Sequence, residues 1–217
     1  MALLLTGSLP LYAAPDSAPG TAVDSDWILS KLARPAPMHT MFVELRDSKL
    51  LKAPLRIEGE YGRPDNNTLV REVRVPYAET TTIRSGTVSI QRAGKSARTF
   101  SLSRVPELGG LQASFGALLS GDRTLLQQHY RLTSSGTHQH WTLMLTPKDA
   151  RFAAKVRDIT LYGRGTELRC IETASAGTGD IQRTLLAGAA RDSTPAMTSD
   201  ALTVLCRNGA TAKSAQR

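Results

Sequence analysis

The chain has 217 residues, 41% of them hydrophobic, which is enough for one sizeable core and argues against general disorder. Aromatic residues make up only 5%, too few for a surface that stacks nucleobases on aromatic rings. The net charge of +8 is spread along the chain rather than gathered in a block, so it suits anionic lipid head groups or a plain solvated surface as well as nucleic acid.

The opening "MALLLTGSLPLYAAPDSAPG" has a short apolar run followed by small residues, and Leu11-Tyr12-Ala13 is an acceptable set before a cleavage site. No Lys or Arg precedes Lys31, so the expected reading is a truncated signal peptide over residues 1–13. A flexible N-terminus over 14–24, one domain over 25–208 and a frayed tail over 209–217 follow from composition. No later apolar run approaches the length of a membrane span. "SDWILSKLARPAP" predicts a short helix, capped by Ser25 or Asp26, with Ile28 and Leu32 on one face and Pro35 stopping it.

Over residues 38–103 the period becomes two. Met41, Val43 and Leu45 alternate with Glu44 and Arg46; Leu55, Ile57 and Tyr61 alternate with Arg56, Glu58 and Glu60. Further short runs follow, with turn signals at Pro64-Asp65-Asn66, Ser85-Gly86 and Ala93-Gly94, so an antiparallel meander is expected with its charged face in water. Leu108, Leu111, Phe115, Leu118 and Leu119 then repeat at helical spacing up to Gly121, and a second short helix is expected around Thr124–Gln128. Strands resume, with Trp141, Leu143 and Leu145 on one apolar face, and "TSDALTVLCRN" reads as a last helix. The fold class is mainly β with short helices: one antiparallel sheet of about eleven strands that curls, with helices covering a cavity on its concave side.

Cys170 and Cys206 are the only cysteines; in an exported chain they suggest one disulfide, in a cytosolic chain two buried thiols. His138 and His140 stand two apart without an acidic or thiol companion, and read as solvent-facing residues rather than metal ligands. Gly163-Arg164-Gly165 lacks the rest of a dinucleotide motif, and Asn66-Asn67-Thr68 is turn chemistry that formally matches a glycosylation sequon. No nucleophile elbow or Cys/His pair is present, so neither an enzyme nor a cofactor is expected. One oddity remains. In "LRIEGEYGRPD" the row Leu55, Ile57, Gly59, Tyr61 ends on Arg63, just before Pro64. An arginine there can snorkel to water and brace a turn.

The blocks "WILSKLARPAPMHTMFVELRDS", "LRIEGEYGRPD", "REVRVPYAETTTIRSGTVSIQ" and "HWTLMLTPKD" resemble the LolA family in order and spacing, from about Asp26 to Leu186. Those are periplasmic carriers of outer-membrane lipoproteins. The resemblance implies an incomplete β-barrel with a helical lid over an apolar cavity. It also implies that Arg63 latches the lid by bonding lid carbonyls near residues 105–120. On this reading Leu55, Ile57, Tyr61, Val73, Trp141, Leu143 and Leu145, with Leu111 and Phe115 from the lid, line a cavity for acyl chains. The implied partners are lipoprotein or other lipid cargo, an inner-membrane donor and an outer-membrane acceptor, for a monomer with transient membrane contact. A carrier of a non-protein lipid, such as an acylated pigment or glycolipid precursor, is the main alternative. A periplasmic scaffold with a filled core is the second.

Overall fold

The computed structural model describes residues 22–46, 55–102, 117–118 and 121–208. The expected leader, the tail and most of the expected lid, Leu111 and Phe115 included, lie outside them. Eleven strands form one sheet: β1 (Met38–Arg46), β2 (Leu55–Asp65), β3 (Thr68–Val75), β4 (Glu79–Arg84), β5 (Thr87–Arg92), β6 (Arg98–Ser101), β7 (Tyr130–Gly136), β8 (Trp141–Pro147), β9 (Val156–Arg164), β10 (Glu167–Ser175) and β11 (Ile181–Leu186). The described helices are α1 (Ser25–Leu32), α2 (Arg123–His129), α3 (Ala150–Ala153), α4 (Ala187–Asp192) and α5 (Ser199–Asn208). The strand order is β6-β5-β4-β3-β2-β1-β11-β10-β9-β8-β7, and every neighbouring pair is antiparallel. β6 and β7 are the two edges and do not pair with each other, so the sheet stays open.

Turn chemistry sets the registers. Ser85 and Gly86 both have positive φ, 47° and 76°, the left-handed backbone of a two-residue hairpin turn between Arg84 and Thr87. At the β2–β3 turn the Asp65 carboxylate accepts from the Asn67 N–H at 2.8 Å and the Thr68 hydroxyl at 3.0 Å. Those bonds hold its pKa below the usual carboxylate value. β1 then pairs with β11, Phe42 opposite Leu186, and so joins the two meanders into one sheet.

One face of the sheet carries the main core. Phe42, Ile57, Val73, Ile171, Leu161, Leu143 and Leu145 share it, and α1 packs Ile28, Leu29 and Leu32 onto the same cluster. The α1 cap is Asp24, whose carboxylate accepts from the Trp27 N–H at 2.7 Å, one residue before the expected Ser25. Residues 22–24, expected to be flexible, are held: Ala22 bridges Thr137, and Val23 is buried and donates to the Gly136 carbonyl at 3.3 Å.

The other face of the sheet does not simply meet water. In β1 the expected facing is reversed: Phe42 lies on the main core while Val43 and Leu45 lie in a second cluster, and Met41 is exposed. That second cluster sits under α4 and α5, with Leu185, Ala189, Leu202, Leu205 and the Cys170–Cys206 disulfide. The two cysteines stand 36 residues apart in sequence. Charged groups are buried here too. Glu172 accepts from Arg183 at 2.7 Å, from the Tyr162 hydroxyl at 3.0 Å and from Arg207 of α5 at 3.1 Å. Burial alone would raise the Glu172 carboxyl, but the bonds from Arg183 and Arg207 outweigh it and hold the pKa low. Burial, then the Glu172 charge, pushes the Tyr162 hydroxyl up to about 12.

Two expectations follow. Cys170 and Cys206 resist alkylation even after unfolding and react only once reduced, and reduction lowers stability by up to about 4 kcal/mol while leaving the main core packed. Thiols that alkylate in the unfolded, unreduced protein would contradict this. Because Glu172 has a lowered native pKa, its contribution is complete above the ordinary carboxylate pKa and is lost as pH falls through the native value. Thermal melts at pH 7 and pH 3 should therefore show a smaller acid-induced drop for Glu172→Gln, which begins less stable, than for wild type.

Candidate functional site

The inner face is built from strand alternation, and those of the expected lining residues that are described lie on it. Ile57, Val73, Trp141, Leu143 and Leu145 are buried in one cluster with α1, and Leu55 and Tyr61 pack at its margin. Trp141 is seated on its neighbour strand by a missing side chain: a Cβ at Gly163 would come within 1.9 Å of the indole. The indole N–H donates to the Gly165 carbonyl at 2.9 Å. Gly163-Arg164-Gly165 is thus a seat for a tryptophan followed by a turn.

The inner face is not wholly apolar. Buried Glu44 accepts from Arg71 at 3.0 Å and is bonded by Arg46, while the Arg71 guanidinium lies over the Phe42 ring at 4.8 Å. Tyr61 stands opposite Arg71 across the β2–β3 pair. Burial raises its hydroxyl pKa against the opposing pull of Arg71. His138 and His140 lie in the β7–β8 connection rather than on a strand; His138 stacks on Trp27 with centroids 4.2 Å apart and His140 is exposed. Among the described residues no group of three or more His, Cys, Asp or Glu could hold a metal ion.

The packing gives way at the end of the sheet where β2 finishes. A cavity of about 430 Å³ opens there, bordered by Leu32, Tyr61, Leu69, Leu118, Ile171 and Leu186, with Arg34, Arg63, Thr166 and Glu167 at its polar margin. Of the described residues expected to line a cavity, Tyr61 borders this one; Ile57, Val73, Trp141, Leu143 and Leu145 lie in the packed cluster.

Arg63 is 8% exposed and donates to the Arg34 carbonyl at 2.8 Å and to the Asn66 side-chain oxygen at 3.0 Å. It therefore ties the end of β2 to the chain leaving α1. The carbonyls near 105–120, expected as its partners, fall almost wholly outside the described residues. Arg34 itself was not singled out from the sequence. Its guanidinium donates to the Lys31 and Ala33 carbonyls at 2.7 and 3.1 Å and to the Thr166 carbonyl in the β9–β10 turn at 2.9 Å. One signal could have found it: Arg34-Pro35 repeats the Arg-Pro pair of Arg63-Pro64.

Residues 17–210 match the model of a family described as outer membrane lipoprotein carrier protein LolA-like. Among solved structures, the chain is similar to the LolA superfamily protein NE2245 from Nitrosomonas europaea, with 13% identity and a TM-score of 0.39 over 76% of this chain and 92% of that one. It is also similar to LprF from Mycobacterium bovis, with 13% identity and a TM-score of 0.34 over 76% of this chain and 91% of that one. No curated protein matches the chain.

The Trp141 seat gives a direct test. Gly163→Ala should displace the indole and destabilise the protein by about 1–3 kcal/mol, the usual cost of overpacking. In a Trp27→Phe background the remaining tryptophan emission should shift to the red; unchanged emission and melting temperature would show that the seat is not tight.

Proposed function

The chain belongs to the outer membrane lipoprotein carrier protein LolA-like family, a family of carriers rather than enzymes, and on that premise we propose that it shields the acyl chains of lipoproteins or other lipids during transfer through the periplasm. The observation that carries the reading is the apolar-walled cavity that opens beside Arg63 and the end of α1. An inner-membrane donor and an outer-membrane acceptor are the partners of such a carrier. The disulfide fits an oxidising compartment.

We further propose that the sheet curls round the cavity as an incomplete barrel with α1 as part of its lid. The reach of α1 supports this. The segment contacts β7 and β8, and through Arg34 it is bonded to Arg63 of β2. Six interstrand steps separate β7 from β2, about 29 Å across a flat sheet. An eight-residue helix is only about 12 Å long. A sheet bent towards α1 meets it at both sides.

Energetics then define what the latch must do. Each buried methylene is worth about 0.8 kcal/mol, so one long chain gains on the order of 10 kcal/mol, and unaided release is slow. Hydrogen bonds from a charged group contribute about 1.5–3 kcal/mol, enough to shift a closed/open ratio roughly ten- to a hundredfold without locking it. Arg63→Leu should favour the open form, take up lipid and hand it on poorly. Arg63→Lys keeps the charge but loses the fork of donors and should fall between. Transfer from loaded protein to acceptor membranes, with both variants beside wild type, decides: equal rates would discard the latch. A cargo-free scaffold would take up no fluorescent fatty acid at all once stripped of its own lipid.

A further inference from the structure

We propose that the open cavity takes an acyl chain of an amphiphile with an anionic head group, and that the carboxylate or phosphate of that head pairs with Arg34 at the cavity mouth. The inference rests on the carrier reading and narrows its cargo.

The first argument is room. The cavity measures about 430 Å³. Its walls at Leu32, Leu69, Leu118, Ile171 and Leu186 are apolar, so it offers room for an acyl chain. Ile57, Leu143 and Leu145 are at most 1% exposed and are packed with Ile28 and Leu29 of α1, so the room of this cavity lies at the mouth and not among them.

The second argument is charge. Arg34 borders the cavity, is exposed, and spends its donors on three carbonyl oxygens, those of Lys31, Ala33 and Thr166. No carboxylate lies within ion-pair distance of it among the described residues. Glu167, the acid at the same margin, is already engaged: it accepts from Arg169 at 2.9 Å and from the Gly188 N–H at 2.8 Å. An apolar pocket with an uncompensated guanidinium at its mouth matches a tail and an anion joined in one molecule. The planar fork of donors suits a carboxylate and a phosphate alike.

The test uses the full chain, stripped of lipid, with palmitate, palmitoyl lysophosphatidate, hexadecanol and a triacylated lipopeptide as probes. Displacement of a fluorescent fatty acid reads affinity, and calorimetry reads stoichiometry. Palmitate, lysophosphatidate or both should bind one to one and at least tenfold tighter than hexadecanol; which of the two does so identifies the head. Arg34→Gln should close that gap to less than threefold, and Arg34→Lys should restore part of it. Hexadecanol binding as tightly as both anions in wild type would overturn the head-group assignment, whatever the folding of the variants. A lipopeptide that binds while neither anion does would overturn the head-group assignment while leaving the carrier reading intact. Failure of every probe to bind would remove the carrier reading itself.

Discussion

An eleven-stranded antiparallel sheet presents an apolar face wider than any one short helix can cover, and the rest of the molecule answers to that constraint. The inner face runs from Val73 on β3 to Leu145 on β8, and α1 supplies only Ile28, Leu29 and Leu32 to it. Coverage is achieved where strands bring large side chains inward. Trp141 lies over Gly163, and Phe42 packs against both the Arg71 guanidinium and Tyr61, its ring 4.6 Å from the tyrosine's. Among the described residues, the end of β2 carries a cavity and two arginines where the rest of the inner face is packed.

The opposite face shows why this shortage can be tolerated. β1, β10 and β11 are buried on both sides, between the main core and the cluster under α4 and α5. A central spine of that kind needs no lid for its stability. The disulfide anchors α5 covalently, and the Glu172 cluster anchors it through Arg207. Removing one partner from such a buried cluster costs more than the cluster contributes relative to apolar packing, so it specifies where α5 sits rather than adding much stability.

The same division explains what was legible in the sequence. β2 and β8 bury only their inner face, so strict alternation named Ile57, Trp141, Leu143 and Leu145 and singled out Arg63 as the odd residue in the row. β1 has both faces covered, and alternation loses its meaning in such a strand. Glu44 and Arg46 looked solvent-facing, yet they point inward because Arg71 is there to pair with Glu44, a partner 27 residues away. α4 was missed because "AGAARD" has small residues and no apolar period. The α1 cap was misplaced by one residue because Asp24, Ser25 and Asp26 are all good caps, and only geometry decides among them. Arg34 carried only the Arg34-Pro35 echo of Arg63-Pro64 as a signal; its place at the cavity comes from where α1 ends.

On the carrier reading proposed above, Arg34 would also join cargo entry to the position of the cover. Its carbonyl holds Arg63, while its guanidinium holds the Thr166 carbonyl, so one residue ties the cover to strands on both sides of the mouth. A head group that claims the guanidinium competes with Thr166 and leaves the bond to Arg63 in place. A bound anion would thus free the β9–β10 side of the cover first and keep the β2 side fastened. A charged donor satisfied by a carboxylate is also lower in energy than the same donor satisfied by a neutral carbonyl. On the proposed reading the exchange would favour an anion over an uncharged lipid, and selection of the head and loosening of the cover would be one event, at the side of the mouth away from Arg63.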